Sequence, residues 1–103
     1  MTIKKGDIFV ATWGYDQTNA TFFQVIGTTG KSVVVRQIEK KETPDEGGFM
    51  TGNVTPIRNK FMGEAKTKRL QDNKYFGIGF RAGDSYGFAE KWDGEPVAVS
   101  HYA

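Results

Sequence analysis

The chain contains one histidine, His101, and no cysteine. A Ser/His/Asp arrangement would have to use His101 with Ser32, Ser85 or Ser100 as the nucleophile. Ser100 is its immediate neighbour, and on an extended strand it points to the opposite face. None of the three serines follows the strand-to-helix pattern of a hydrolase nucleophile. One histidine without cysteine is a poor donor set for zinc. The carboxylates Asp84, Glu90, Asp93 and Glu95 fall at expected turns and lack the spacing of a calcium loop. Gly77-Ile78-Gly79 lacks the strand-to-helix context of a phosphate-binding loop. The residues predict a protein that is not an enzyme and needs no metal or cofactor.

Two other stretches have the chemistry of recognition. Trp13-Gly14-Tyr15-Asp16-Gln17-Thr18-Asn19 combines two rings with adaptable hydrogen-bonding groups. Trp13 and Tyr15 offer contact area at low entropic cost, and Asp16, Gln17 and Asn19 offer polar contacts. The same residues have a structural reading, in which Asp16 or Asn19 forms an Asx turn and the rings cap the end of the fold. The second stretch, residues 58–74, carries Arg58, Lys60, Lys66, Lys68, Arg69 and Lys74 against Glu64 and Asp72, a local charge of +4. Tyr75 and Phe76 follow directly. Cations beside rings are the mix used by single-strand nucleic-acid binders, while a solvated cationic face is the alternative. With a formal net charge of only +2, the whole chain is not a polycation, so a few phosphate contacts would be salt-sensitive.

Strands must position these stretches. Ile8-Phe9-Val10-Ala11-Thr12 is apolar on both faces, which suits a tightly curved sheet or small barrel. Thr21-Phe22-Phe23-Gln24-Val25-Ile26 and Ser32-Val33-Val34-Val35-Arg36-Gln37-Ile38 complete a meander around a Gly-bracketed turn. Residues 39–48 read as a charged loop. Residues 49–58 read as one interrupted strand or two short ones, with Pro56 at an edge or bulge. Thr67-Lys68-Arg69-Leu70 reads as a strand entering a hairpin at Asp72-Asn73. Phe76, Ile78 and Phe80 then form a core face, opposite Gly77 and Gly79, which leave room for a ring, backbone or ligand. Tyr86-Gly87-Phe88-Ala89, a turn at Asp93-Gly94 and a terminal strand from Pro96 predict a C-terminal hairpin. No segment has helical periodicity. The expected fold is all-β: a small SH3-like barrel or roll of six to eight mostly antiparallel strands, ending in that hairpin. The pattern is similar to SH3-like and Tudor-like barrels, and such likeness does not fix function.

At 103 residues the chain is expected to be one domain with a modest core. Apolar residues make up 38% and aromatic residues 14%, so a few large rings must supply much of the buried area. The absence of cysteine, of an apolar leader and of any bilayer-length run predicts a soluble protein of the cytoplasm.

Gly6-Asp7-Ile8-Phe9-Val10, the 13–19 heptapeptide, Phe22-Phe23-Gln24-Val25, and the closing Trp92-Asp93-Gly94 with Tyr102-Ala103 together resemble a group of small proteins of bacteriophages and other mobile elements. The resemblance covers the first third and the last dozen residues, not the basic stretch. It implies a phage or prophage accessory gene. Products of such genes often bind a host protein or nucleic acid, and some inhibit host defence nucleases as anti-CRISPR proteins do. The expected function is a binding protein that engages a host protein or nucleoprotein through Trp13, Tyr15, Asp16, Gln17 and Asn19, helped by Lys66, Lys68, Arg69 and Tyr75. The alternatives are a small nucleic-acid-binding β-barrel and a self-associating virion subunit.

Overall fold

The computed structural model describes residues 3–14, 18–44, 51–83 and 85–100. Among these residues eight strands follow one another: β1 (Ile8–Trp13), β2 (Asn19–Thr29), β3 (Ser32–Pro44), β4 (Thr51–Arg69), β5 (Gln71–Asn73), β6 (Gly77–Gly83), β7 (Gly87–Lys91) and β8 (Val97–Ser100). They form one sheet in the order β5-β6-β7-β1-β2-β3-β4-β8, and every pairing is antiparallel. The all-β expectation holds. The order has two ends, however, so the sheet is open and does not close into a barrel.

The central strands are apolar on both faces because both faces are covered. Phe9, Ala11, Phe23, Val25, Val33 and Val35 pack with Phe80, Ala82 and Ala89 on one side. Ile8, Val10, Ala20, Phe22 and Ile38 pack with Val54 and Val99 on the other. Phe80 fills the first core, with its ring 5.1 Å from that of Phe9 and 5.7 Å from that of Phe23. Burying each such ring contributes roughly 1.5–3 kcal/mol through area alone. Trp92 closes the second core edge-on to Phe22 at 6.1 Å.

Covering both faces requires the sheet to roll, and this overturns the predicted C-terminal hairpin. β7 pairs with β1, and β8 pairs with β4 at the far end of the order. The short link between β7 and β8 spans that separation because the roll carries β8 over the second core to the start of β2. Trp92 holds the link, its backbone N–H bonded to Ile8 O at 2.9 Å and its Nε1 to Glu95 O at 2.7 Å. Ser100 N donates to Thr18 O at 3.1 Å, so β8 reaches the start of β2.

β4 is bent by two bulges. Between the pairs Ile38↔Phe61 and Lys40↔Pro56, residues 57–60 lie opposite Glu39 alone. Between Val35↔Lys66 and Gln37↔Met62, residues 63–65 lie opposite Arg36. Pro56 thus stands at the rim of a bulge, as expected for a residue with no N–H to donate. Two neighbouring side chains hold the bulges, since Gln24 and Arg36 are register partners. The buried Gln24 amide donates to Asn59 Oδ1 at 2.7 Å and accepts from Asn59 N at 2.8 Å. Asn59 has φ 67°, left-handed for a residue other than glycine. The Arg36 guanidinium donates to Gly63 O at 2.9 and 3.2 Å and lies 4.8 Å from the Phe61 ring centre.

Other expectations need correction. Residues 39–44, read as loop, continue β3 because they pair with β4 as far as Pro44↔Gly52. The hairpin turn lies at residues 74–76, after Asp72-Asn73. Phe76 therefore sits outside β6 and is 53% exposed, while Phe80 is fully buried. The space beside Gly79 is already filled: a Cβ there would lie 2.0 Å from Ala89 O and 2.8 Å from the Phe88 ring.

Two stability outcomes follow. Asn59→Ala should lose about 2–3 kcal/mol in urea unfolding, from left-handed strain plus an unsatisfied buried amide. Asn59→Gly should lose distinctly less, because glycine adopts the left-handed backbone without strain and only the second term remains. Gly79→Ala should lose more than about 2 kcal/mol, because backbone must move to admit one methyl group.

Candidate binding surface

β4 and β5 form a nearly continuous segment that changes partner at Leu70. β4 ends in register with Ser32, Leu70 N donates to Lys31 O at 2.8 Å, and β5 then pairs with β6. β5 accompanies β6 only over Gly77 to Gly79. Among the described residues, residues 61–69 of β4 and 80–83 of β6 have no strand on their facing edges. An open seam lies between them.

A cavity of about 140 Å³ sits in that seam. Phe23 and Val35 floor it, Ala82 and Tyr86 wall it on one side, and Met62, Glu64, Lys66 and Lys68 wall it on the other. The register puts Lys66 opposite Val35 and Lys68 opposite Val33, on the side of the first core. Arg69, opposite Ser32, projects to the other side of the strand. No ion pair involves Lys66, Lys68 or Arg69 among the described residues, whereas Lys60 is paired with Glu39 at 3.5 Å. Arg58 is committed to Gly6 O. A larger hollow of about 470 Å³ lies at the opposite end of the first core, between Ile3, Val33, Leu70 and Ile78. It is shallow, and none of the sequence-predicted binding residues lines it.

Trp13 connects the first predicted stretch to this seam. Its Nε1 donates to the buried Thr21 hydroxyl at 2.9 Å, and its ring meets Tyr86 edge-on at 5.3 Å. Tyr86 also meets Phe23 at 6.4 Å. Trp13 is thus tied into the fold by a hydrogen bond and a ring contact, and it supports a wall of the cavity. Asn19 is half-buried and pairs with Trp13 at the start of β2. Tyr15, Asp16 and Gln17 lie outside the described residues, as does His101. Tyr75 is 81% exposed at the β5–β6 turn, away from the cavity lining. The fold therefore brings Trp13, Lys66 and Lys68 to one place and leaves Arg69 and Tyr75 elsewhere.

Sequence reasoning passed over Tyr86, Met62 and Phe88, and it read Phe76 both as a ring beside the basic stretch and as a core residue. Tyr86 precedes its strand in a Gly-rich turn, so alternation assigns it no face. Phe88 was legible, because the residue before a core Ala89 must face outward. The Met62 position depends on the bulge and has no sequence signal.

The partly buried Lys40 ammonium donates to Ala20 O. Burial lowers its pKa, and the Glu42 carboxylate partly offsets this by raising it. The folded state therefore releases this proton at lower pH than the unfolded chain. Stability contributed by this group grows as pH rises between those two values.

Among the described residues no group of three or more His, Cys, Asp or Glu could hold a metal ion, and no helix is long and apolar enough to cross a membrane. No family model, no curated protein and no solved structure matches the chain.

If Trp13 supports the cavity wall, Trp13→Phe should cost about 1 kcal/mol through the lost bond to Thr21. Trp13→Ala should cost about 3 kcal/mol or more through the lost ring packing. Thermal melts of the two variants check the order.

Proposed function

We propose that this chain is a non-catalytic binding protein whose protein partner docks on the seam between β4 and the β6–β7 corner. The observation that carries this reading is the cavity there: core side chains Phe23 and Val35 form its floor, and Lys66 and Lys68, in no ion pair among the described residues, stand with Glu64 beside a strand edge that has no partner strand among those residues. Such a place offers a partner an apolar socket, two cations beside one carboxylate, and a row of backbone hydrogen-bonding groups, the combination used in strand addition. Lysine on an edge strand also discourages self-pairing of identical chains, which disfavours a virion subunit joined through this edge. In the phage or mobile-element setting that the opening and closing motifs resemble, the partner is a host protein or nucleoprotein. Its occupation would inhibit it, with a defence nuclease as the target class.

The test is site-specific photo-crosslinking in host lysate, with a benzophenone side chain at Met62 and, as a control, at Thr28. A protein adduct at Met62 that survives nuclease and weakens at least about tenfold in Lys66→Glu/Lys68→Glu supports the proposal. Adducts only between copies of this chain would instead favour a structural subunit. Adducts that vanish with nuclease would favour a nucleic-acid contact at the seam.

A further inference from the structure

We infer that the outer face of the β5–β6–β7 end is a stacking platform for single-stranded nucleic acid, independent of the seam. The β5–β6 turn is built to display rings. Asn73 Oδ1 accepts the backbone N–H groups of Tyr75 at 2.7 Å and Phe76 at 3.0 Å, which fixes the turn. Phe76 then lies nearly parallel to Phe88, with ring centres 5.9 Å apart and planes 25° from parallel. Phe88 takes this position because Gly79 has no side chain: a Cβ there would come within 2.8 Å of the ring. Neither ring belongs to a core, since Phe80 and Ala89 fill the inner face. The result is a two-ring stack whose outer member is 53% exposed, next to a Tyr75 that is 81% exposed.

Charge completes the platform. The Lys74 ammonium lies 5.8 Å from the Tyr75 ring centre. Arg81 is exposed and is the register partner of Phe88. Neither cation is in an ion pair among the described residues. Two carboxylates stand in these registers: Asp72, opposite Ile78, is on the first-core side, and Glu90, opposite Gly79, is on the outer face with the two cations.

A protein interface is a poorer occupant for this surface. Its centre needs several contiguous apolar side chains. The exposed large apolar residues among those described are Tyr75, Phe76 and Met62, and Met62 lies on bulged β4. Flat rings flanked by separate cations match what a single strand presents, bases with π-faces joined by phosphates. The basic stretch of β4 does not make such a track, because Lys66 and Lys68 face one way and Arg69 the other.

The experiment titrates a fluorescent oligothymidylate of about twelve nucleotides with the full chain, reading anisotropy between about 50 and 200 mM salt. Binding is expected, with Tyr75→Ala and Phe76→Ala each weakening it about tenfold and Tyr75→Ala leaving the melting temperature unchanged. Arg81→Gln should reduce the log–log salt slope by about 0.7, the contribution of one phosphate contact. An abasic strand of the same length should bind more weakly than the thymidylate. Three results would overturn the inference: no binding at about 100 µM chain, binding indifferent to both ring variants, or binding lost instead in Lys66→Gln/Lys68→Gln. That last result would move nucleic acid to the seam and count against a protein partner there as well. Loss of the Met62 protein adduct in Tyr75→Ala, with oligonucleotide binding unchanged, would make the ring tip a protein contact.

Discussion

The amide of Gln24 sets the course of the longest strand. It is buried in the middle of β2, where an unpaired amide would cost about 1–3 kcal/mol, and its partner is a residue that can reach it only from outside the regular ladder. Asn59 satisfies both ends of the amide from a left-handed backbone. Of the residues other than glycine, asparagine is among those that tolerate that conformation best. Beside Gln24, Arg36 holds the second bulge through Gly63 O. Two polar side chains on adjacent strands thus convert what would be one straight hairpin of β3 and β4 into a folded-over segment.

The rest of the architecture depends on that fold-over. With bends at residues 57–60 and 63–65, the first part of β4 carries Val54 onto the second core, and the last part delivers Leu70 and β5 to β6 around the first. Each face of the meander is then covered by an opposite end of the same sheet. This explains why a chain of modest apolar content can bury Ile8, Phe9, Val10 and Ala11 in succession. The covering is incomplete in one place. Between the second bulge and the β6–β7 corner no strand of the described residues spans the gap, and the proposed seam lies there.

Core formation also leaves rings over. β6 and β7 approach so closely at Gly79 that Phe88 is laid flat on the outer surface, and Phe76 stacks on it. Among the described residues no strand covers the outer face of this end of the sheet. The rings stand in solvent beside Lys74 and Arg81, a face distinct from the seam and chemically unlike it.

Alternation alone determined much of this fold. Ile8 to Trp13, the Phe22/Phe23 strand and the valine strand were legible because side chains on a strand alternate strictly. Apolar residues on both faces already implied a curved sheet. Pro56 announced its bulge by lacking a donor, whereas Trp13 and Asn19, read as part of the stretch between the strands, are themselves paired strand residues. Tertiary structure decided the partners. Asp93-Gly94 carries a good local turn signal, yet β7 and β8 flank different strands, because the roll sets which edges are adjacent and no local pattern encodes that. Phe76 fits a period-two core pattern with Ile78 and Phe80, but the turn after Asn73 lifts it out. The charges of residues 58–74 were plain in the sequence. Their division, with Arg58 and Lys60 spent on internal partners and Lys66 and Lys68 beside a cavity, follows from bulges set by contacts about 30 residues apart in the chain. Local residue types fix which atoms can bond; only the rolled sheet fixes which of them meet.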